Sequence, residues 1–195
     1  MINHIPENII QVVTEEGFLK ELEENCIEFS NINKLLVKAL TEKNMKIATA
    51  ESCTGGLISK SITEVSGSSA VFDCGVCSYS NDIKSKVLSV DKNTLDTLGA
   101  VSAETAMQMA KGVRLLSGSD MAISTTGIAG PTGGTDTKPV GLVYIGLSTP
   151  AKKIAVKALL SQNKANTRAR VRELAAACAM YLAYKEISEN VNNPQ

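Results

Sequence analysis

A serine followed by glycines, where a strand-like run meets a helix-like run, is a place where chemistry can be done. This chain has one in Thr49-Ala50-Glu51-Ser52-Cys53-Thr54-Gly55-Gly56. A strand-to-helix turn lifts a hydroxyl clear of the backbone and aims N–H groups at whatever that hydroxyl meets. The stretch therefore reads as a nucleophile or an anion cradle, with an ordinary tight turn of small residues as the plain alternative. Cys53 is the rival nucleophile, although a free cysteine is more often a small buried hydrophobe.

A serine nucleophile needs a base within hydrogen-bond reach and donors for the oxyanion. The single histidine is His4, close to the first residue, so a Ser-His-Asp triad, a Cys-His dyad or a zinc site would lack its usual imidazoles. Lysine is the remaining base. Lys84 lies just inside a helix start, after Ser78-Tyr79-Ser80-Asn81-Asp82. It can act as a base only where burial or a positive neighbour lowers its pKa. Tyr79 is placed to hold that amine or relay a proton; the plain alternative is a solvated lysine and a strand-end tyrosine.

A second loop, Gly127-Ile128-Ala129-Gly130-Pro131-Thr132-Gly133-Gly134, fits neither the Walker nor the dinucleotide fingerprint. Its glycines still let backbone approach a phosphate or ribose. Lys138, Lys164, Arg168, Arg170 and Arg172 are available to pair with a phosphate, or are simply a solvated face. Cys74 and Cys77 have metal-like spacing but no second pair, and on a strand they point to opposite faces, which favours a structural role and no metal.

Composition narrows the partners. Twenty basic and twenty acidic residues cancel, without blocks of like charge, so neither a nucleic acid nor a membrane is expected as a partner held by bulk electrostatics. Aromatic residues are scarce, which argues against base-stacking platforms. Five scattered cysteines without a secretory leader point to reduced thiols in a cytoplasmic, soluble protein, and no apolar run approaches the length of a membrane span.

The elements that must position these groups follow from periodicity. Residues 1 to about 28 place Ile9, Val12, Val13, Phe18, Leu19 and Leu22 at roughly helical spacing, which predicts an appended amphipathic helix or helix pair, packed on the body or on a second subunit. Helices are expected over 32–40, from Leu57, over 83–88 and 91–98, from Ser102 to Gly118, and from Arg168 to about Ile187, with Gln162 to Thr167 opening the last. Strands are expected over 45–50, 71–78 (read as buried), 121–126, 140–148 and 153–160. Alternating elements with two consecutive strands near the end predict an α/β layered domain with a mixed sheet. Ligands in such sheets sit beyond the carboxyl ends of the strands, so the loops at Ser52, Tyr79 and Gly127 are expected to converge. The division expected is 1–29 as an amino-terminal helical extension, 30–187 as the domain and 188–195 as a polar tail.

Four motifs in order, TAESCTGG (49–56), SYSNDIK (78–84), GAVSAET (99–105) and TTGIAGPTGGTDTKPVG (125–141), resemble the carboxy-terminal domain of the competence-damage-inducible protein CinA over about residues 30–187. Stand-alone members of that family are nicotinamide-nucleotide amidases. The resemblance implies a three-layer α/β/α domain that converts nicotinamide mononucleotide to nicotinate mononucleotide and ammonia, without metal or cofactor. It places the family's serine, tyrosine and lysine on Ser52, Tyr79 and Lys84. Substrate contacts are expected from Thr54, Gly55, Gly56, Gly127, Ala129, Gly130 and Arg168. Two departures stand out. The additional amino-terminal domain of larger CinA proteins has only about thirty residues in its place here, so its activity is expected to be absent. A common Ser-Gly-Asp-Arg reads Ser161-Gln162-Asn163-Lys164, which bears on the phosphate side. The alternative is a non-catalytic nucleotide-binding module of the same fold, and self-association through the amino-terminal stripe is plausible.

Overall fold

A computed structural model describes residues 9–160 and 167–189. His4, Lys164 and the Ser161 to Lys164 departure lie outside the described residues. The strands are β1 (Ile9–Thr14), β2 (Ile47–Glu51), β3 (Phe72–Cys77), β4 (Met121–Gly127), β5 (Leu142–Ser148) and β6 (Lys153–Leu159). The helices are α1 (Glu15–Glu24), α2 (Ile32–Glu42), α3 (Leu57–Thr63), α4 (Asn81–Leu88), α5 (Lys92–Thr97), α6 (Ala103–Ser117) and α7 (Arg168–Glu189). The strands form one six-stranded mixed sheet in the order β1-β6-β5-β4-β2-β3. It lies between two helical layers, giving a three-layer α/β/α sandwich.

Alternation along β2 sorts the two layers. Ile47 joins a core with α1, α2, α3 and α7, whereas Ala48 and Ala50 pack with Leu88, Met109 and Val113 of α4 and α6. The same period sends Ser124 of β4 toward α6, where its hydroxyl donates to the Ala106 carbonyl at 2.6 Å. Strands β3, β2 and β4 are parallel, and Glu51 is paired with both Cys77 and Thr125. All three therefore end at one edge and deliver their loops to the same place.

Two expectations are corrected. The amphipathic helix predicted at the amino terminus is half strand: Ile9–Thr14 forms β1, parallel to β6, and only then does Thr14 cap α1 by accepting from the Gly17 amide. Ile-Ile-Gln-Val-Val-Thr is β-branched, and a run this short satisfies either period; the open edge of β6 decides the outcome. Residues 71–78 are not a buried strand. β3 is an edge strand whose residues alternate between half-buried and exposed.

Helix α4 is set tightly against α6. A Cβ on Gly112 of α6 would overlap the Leu88 carbonyl at the end of α4. Gly112→Ala is therefore expected to cost about 1–3 kcal/mol, because backbone rather than a flexible side chain must move. A thermal melt should show the midpoint lowered by several degrees. No described helix is long and apolar enough to cross a membrane.

Candidate active site

The turn after β2 is fastened from three directions. Gly55 and Gly56 take the left-handed conformations that let the chain reverse into α3, with φ of 59° and 91°. By the alternation of β2, Glu51 faces the α3 layer. Its carboxylate, fully buried, accepts from the Ile58 amide at 3.0 Å, the Ser59 amide at 2.9 Å and the Ser59 hydroxyl at 2.7 Å. Thr54 is also buried: its hydroxyl meets that of Thr125 at 2.7 Å, and its carbonyl accepts from Arg172 Nη2 at 2.6 Å and Nε at 3.2 Å. The sequence pointed to this turn but not to Glu51 as its internal cap. Ile58 and Ser59, the first free amides of α3, are thus committed to the protein's own carboxylate.

Ser52 continues the β2 ladder, its amide donating to the Thr125 carbonyl at 3.0 Å, and alternation turns its side chain to the α4 layer. There it meets Lys84. Ser80 caps α4 by accepting from the Ile83 amide, which places Lys84 in the first turn, pointing under the loop. Lys84 Nζ lies 3.0 Å from Ser52 Oγ and 2.7 Å from the Ser78 carbonyl. At 1% exposure the lysine has lost its water, and this desolvation lowers its pKa below the ordinary 10.5. Cys53 pulls it back less strongly, and only as a thiolate. Burial pushes the Cys53 thiol up to about 12, the opposite of what an attacking thiol requires.

Tyr79 is 69% exposed, and its hydroxyl accepts from Arg168 Nη2 at 3.2 Å. The amine of Lys84 is held by the Ser78 carbonyl and not by the Tyr79 hydroxyl, which sits on the arginine instead. Arg168 Nη1 also donates to the Gly130 carbonyl at 2.8 Å, so one guanidinium joins the loops after β3 and β4.

Ser52, Cys53, Tyr79, Lys84, Gly127, Ala129 and Arg168 line one cleft of about 200 Å³. Ala100 and Val101, from the α5–α6 connection, and Thr126 complete it. Nothing in their residue types announced them, although GAVSAET lay among the motifs. Thr54, Gly55, Gly56 and Gly130 do not line this cleft; Gly130 holds Arg168 through its carbonyl. A larger groove, about 520 Å³, lies at the far end of the sheet beside Lys43, Pro150 and Ile187 and carries none of the motif residues.

The other basic candidates are engaged elsewhere. Arg170 pairs with Glu15 at 3.5 Å and lies over the Phe29 ring, Arg172 serves the Thr54 carbonyl, and Lys138 donates to the Leu98 carbonyl at 2.8 Å. Cys74 packs toward α6, whereas a Cβ on Gly56 would touch Cys77 Sγ, so the two thiols stand on opposite faces of β3. Among the described residues no three of His, Cys, Asp and Glu gather as metal ligands.

A family model, the CinA C-terminal domain, matches residues 29–187. A competence-damage inducible protein of Caldanaerobacter subterraneus subsp. tengcongensis is 46% identical over 186 residues, covering 95% of this chain and 43% of that protein. A second, from Thermoanaerobacter pseudethanolicus, is 49% identical over 145 residues, covering 74% of this chain and 35% of the relative. The chain thus spans less than half the length of these curated relatives. Among solved structures, the competence/damage inducible protein CihA of Agrobacterium tumefaciens superposes with a TM-score of 0.75 at 36% identity, covering 85% of this chain and 96% of that one. A CinA superfamily protein of Klebsiella pneumoniae gives 0.77 at 28%, covering 83% and 99%.

Proposed function

Because the chain belongs to the family of the CinA C-terminal domain, we propose that it is an amidohydrolase, converting nicotinamide mononucleotide to nicotinate mononucleotide and ammonia in pyridine nucleotide recycling. The observation that carries this reading is the contact of 3.0 Å between Ser52 Oγ and the desolvated amine of Lys84. A neutral amine has a lone pair for the serine proton, and burial shifts Lys84 toward that form.

In the first half-reaction Ser52 Oγ attacks the carboxamide carbon while its proton passes to Lys84 Nζ. The C=O pair moves onto oxygen, and the amide of Cys53, the turn residue that lines the cleft beside Ser52, is proposed to receive that charge. Lys84 then gives its proton to the departing nitrogen, the C–N bond breaks, and ammonia leaves an ester on Ser52. Water, deprotonated by Lys84, attacks the ester and releases the carboxylate and the serine. Arg168 is the cation available to the phosphate, with Gly127 and Ala129 beside the ribose and Tyr79 orienting the arginine. The proposed partner is this small soluble nucleotide, in a cytoplasmic setting.

Purified protein incubated with nicotinamide mononucleotide is expected to release ammonia and nicotinate mononucleotide in equal amounts. Saturable binding of the nucleotide without turnover would overturn the amidase reading in favour of a nucleotide-binding module. Cys53→Ala is expected to keep most of the turnover, since a thiol with a pKa near 12 does not compete as nucleophile. Loss of activity in Cys53→Ala with retention in Ser52→Ala would reverse the assignment.

A further inference from the structure

Ser78 contributes more to the cleft than its carbonyl. Its hydroxyl is the single buried side-chain polar atom among the described residues without a hydrogen-bond partner. Ser78 is fully buried, and its amide extends the ladder by donating to the Glu51 carbonyl at 2.8 Å. Cys74 and Val76 of the same strand face the α4 and α6 layer, and alternation places the Ser78 side chain there too, on the side from which Lys84 rises. An orphaned buried hydroxyl ordinarily costs stability, so its presence needs a reason.

Proton transfer supplies one. A neutral amine has two hydrogens and a lone pair; an ammonium has three hydrogens and no lone pair. When the Ser52 O–H bond breaks and the N–H bond forms, the Ser52 oxygen and the Ser78 carbonyl account for two of the three hydrogens. The third is then a charged donor in a dry site. We infer that Ser78 is a positioning residue for Lys84: its hydroxyl turns between staggered rotamers to accept the third hydrogen of the lysine ammonium. That hydrogen is already on the neutral amine, facing neither Ser52 nor the Ser78 carbonyl; protonation makes it a charged donor, and the orphaned hydroxyl is the acceptor it lacks. The inference rests on the reading of Lys84 as the base.

Around this amine the titratable or charged groups are Cys53 on the turn after β2, Tyr79 beside Ser78, and Arg168 at the start of α7. Asp82 and Lys86 lie on α4 itself, and α6 meets α4 through Gly112 while its Lys111 is exposed.

The test is a titration of Lys84 by NMR in protein carrying ¹³C-labelled lysine, with the resonance assigned by its loss in Lys84→Met. In Ser78→Ala the Lys84 pKa is expected about one pH unit lower than in the unaltered protein, and Ser78→Thr, which restores a hydroxyl, should return it. With nicotinamide mononucleotide, Ser78→Ala is expected to lower kcat about tenfold at unchanged KM and to move the acid limb of the pH profile downward. An unshifted Lys84 titration in Ser78→Ala, or a shift that Ser78→Thr fails to restore, overturns the inference. The titration reads the amine itself. A shifted titration without ammonia release would therefore count against the amidase reading and in favour of this pairing.

Discussion

Ser52→Ala should abolish ammonia release, with a fall in kcat of about a thousandfold or more and little change in nucleotide affinity. The size of the effect follows from what the hydroxyl does. The proposed ester forms on Ser52 Oγ and on no other atom, and the adjacent Cys53 is buried with its thiol held protonated. The backbone should not notice the change, because the turn is held by Glu51, Thr125 and Arg172 through groups other than the serine side chain. Isothermal titration with nicotinamide mononucleotide beside the ammonia assay separates the two quantities. Ser52→Ala that bound the nucleotide much more weakly would show the hydroxyl to be a binding contact.

Lys84→Met is the second large effect, and it divides activity from stability. Turnover should fall as far as in Ser52→Ala, because methionine fills the space but accepts no proton. Stability should move with pH in a defined direction. Desolvation lowers the folded-state pKa of Lys84 below the unfolded 10.5. Below the folded pKa both states carry the proton, and the folded protein bears the full penalty of a buried ammonium. Between the folded pKa and 10.5 the unfolded state binds more protons, so stability rises with pH. Any advantage of Lys84→Met over lysine should accordingly be widest at low pH and narrow as pH rises through that window, as denaturant melts at several pH values would show. Any turnover of the unaltered protein should rise over the folded pKa too, since only the neutral amine can take the serine proton. A gap that widened with pH would mean that Lys84 is held as an ammonium and is not the base.

Much of the site was legible because it depends on local text. A strand, a glycine turn and a helix are each written in neighbouring residues, and a single histidine in the sequence pointed to lysine as the candidate base for a serine. The wall of the cleft was less legible. Arg168, Arg170 and Arg172 read as equivalent cations, yet residues four apart share a helix face and the one between them does not. Arg168 and Arg172 both reach the turn and loops, while Arg170 goes to Glu15 and Phe29. Glu51 was hidden for a different reason. A glutamate at a strand end ordinarily reads as solvent-facing, and only the position of α3 gives it three donors. The edge status of β3 and the pairing of β1 depend on strand order, which is set by crossovers distant in sequence. Ile9, Val12 and Val13 fit a helical stripe as well as they fit a strand. The buried hydroxyl of Ser78 could not have been found without coordinates, because its isolation is a property of what surrounds it.

The internal cap at the head of α3 bears on how the proposed reaction ends. Hydrolysis turns a neutral carboxamide into an anion, and an anion born beside the positive end of a helix would ordinarily linger there. Glu51 has already filled that place with three hydrogen bonds, and desolvation disfavours a proton that stays on Lys84. The new carboxylate therefore finds neither a vacant helix terminus nor a settled cation at the reacting end of the cleft. In the proposed reaction, the electrostatics that favour release of the carboxylate are the same that suit the uncharged carboxamide.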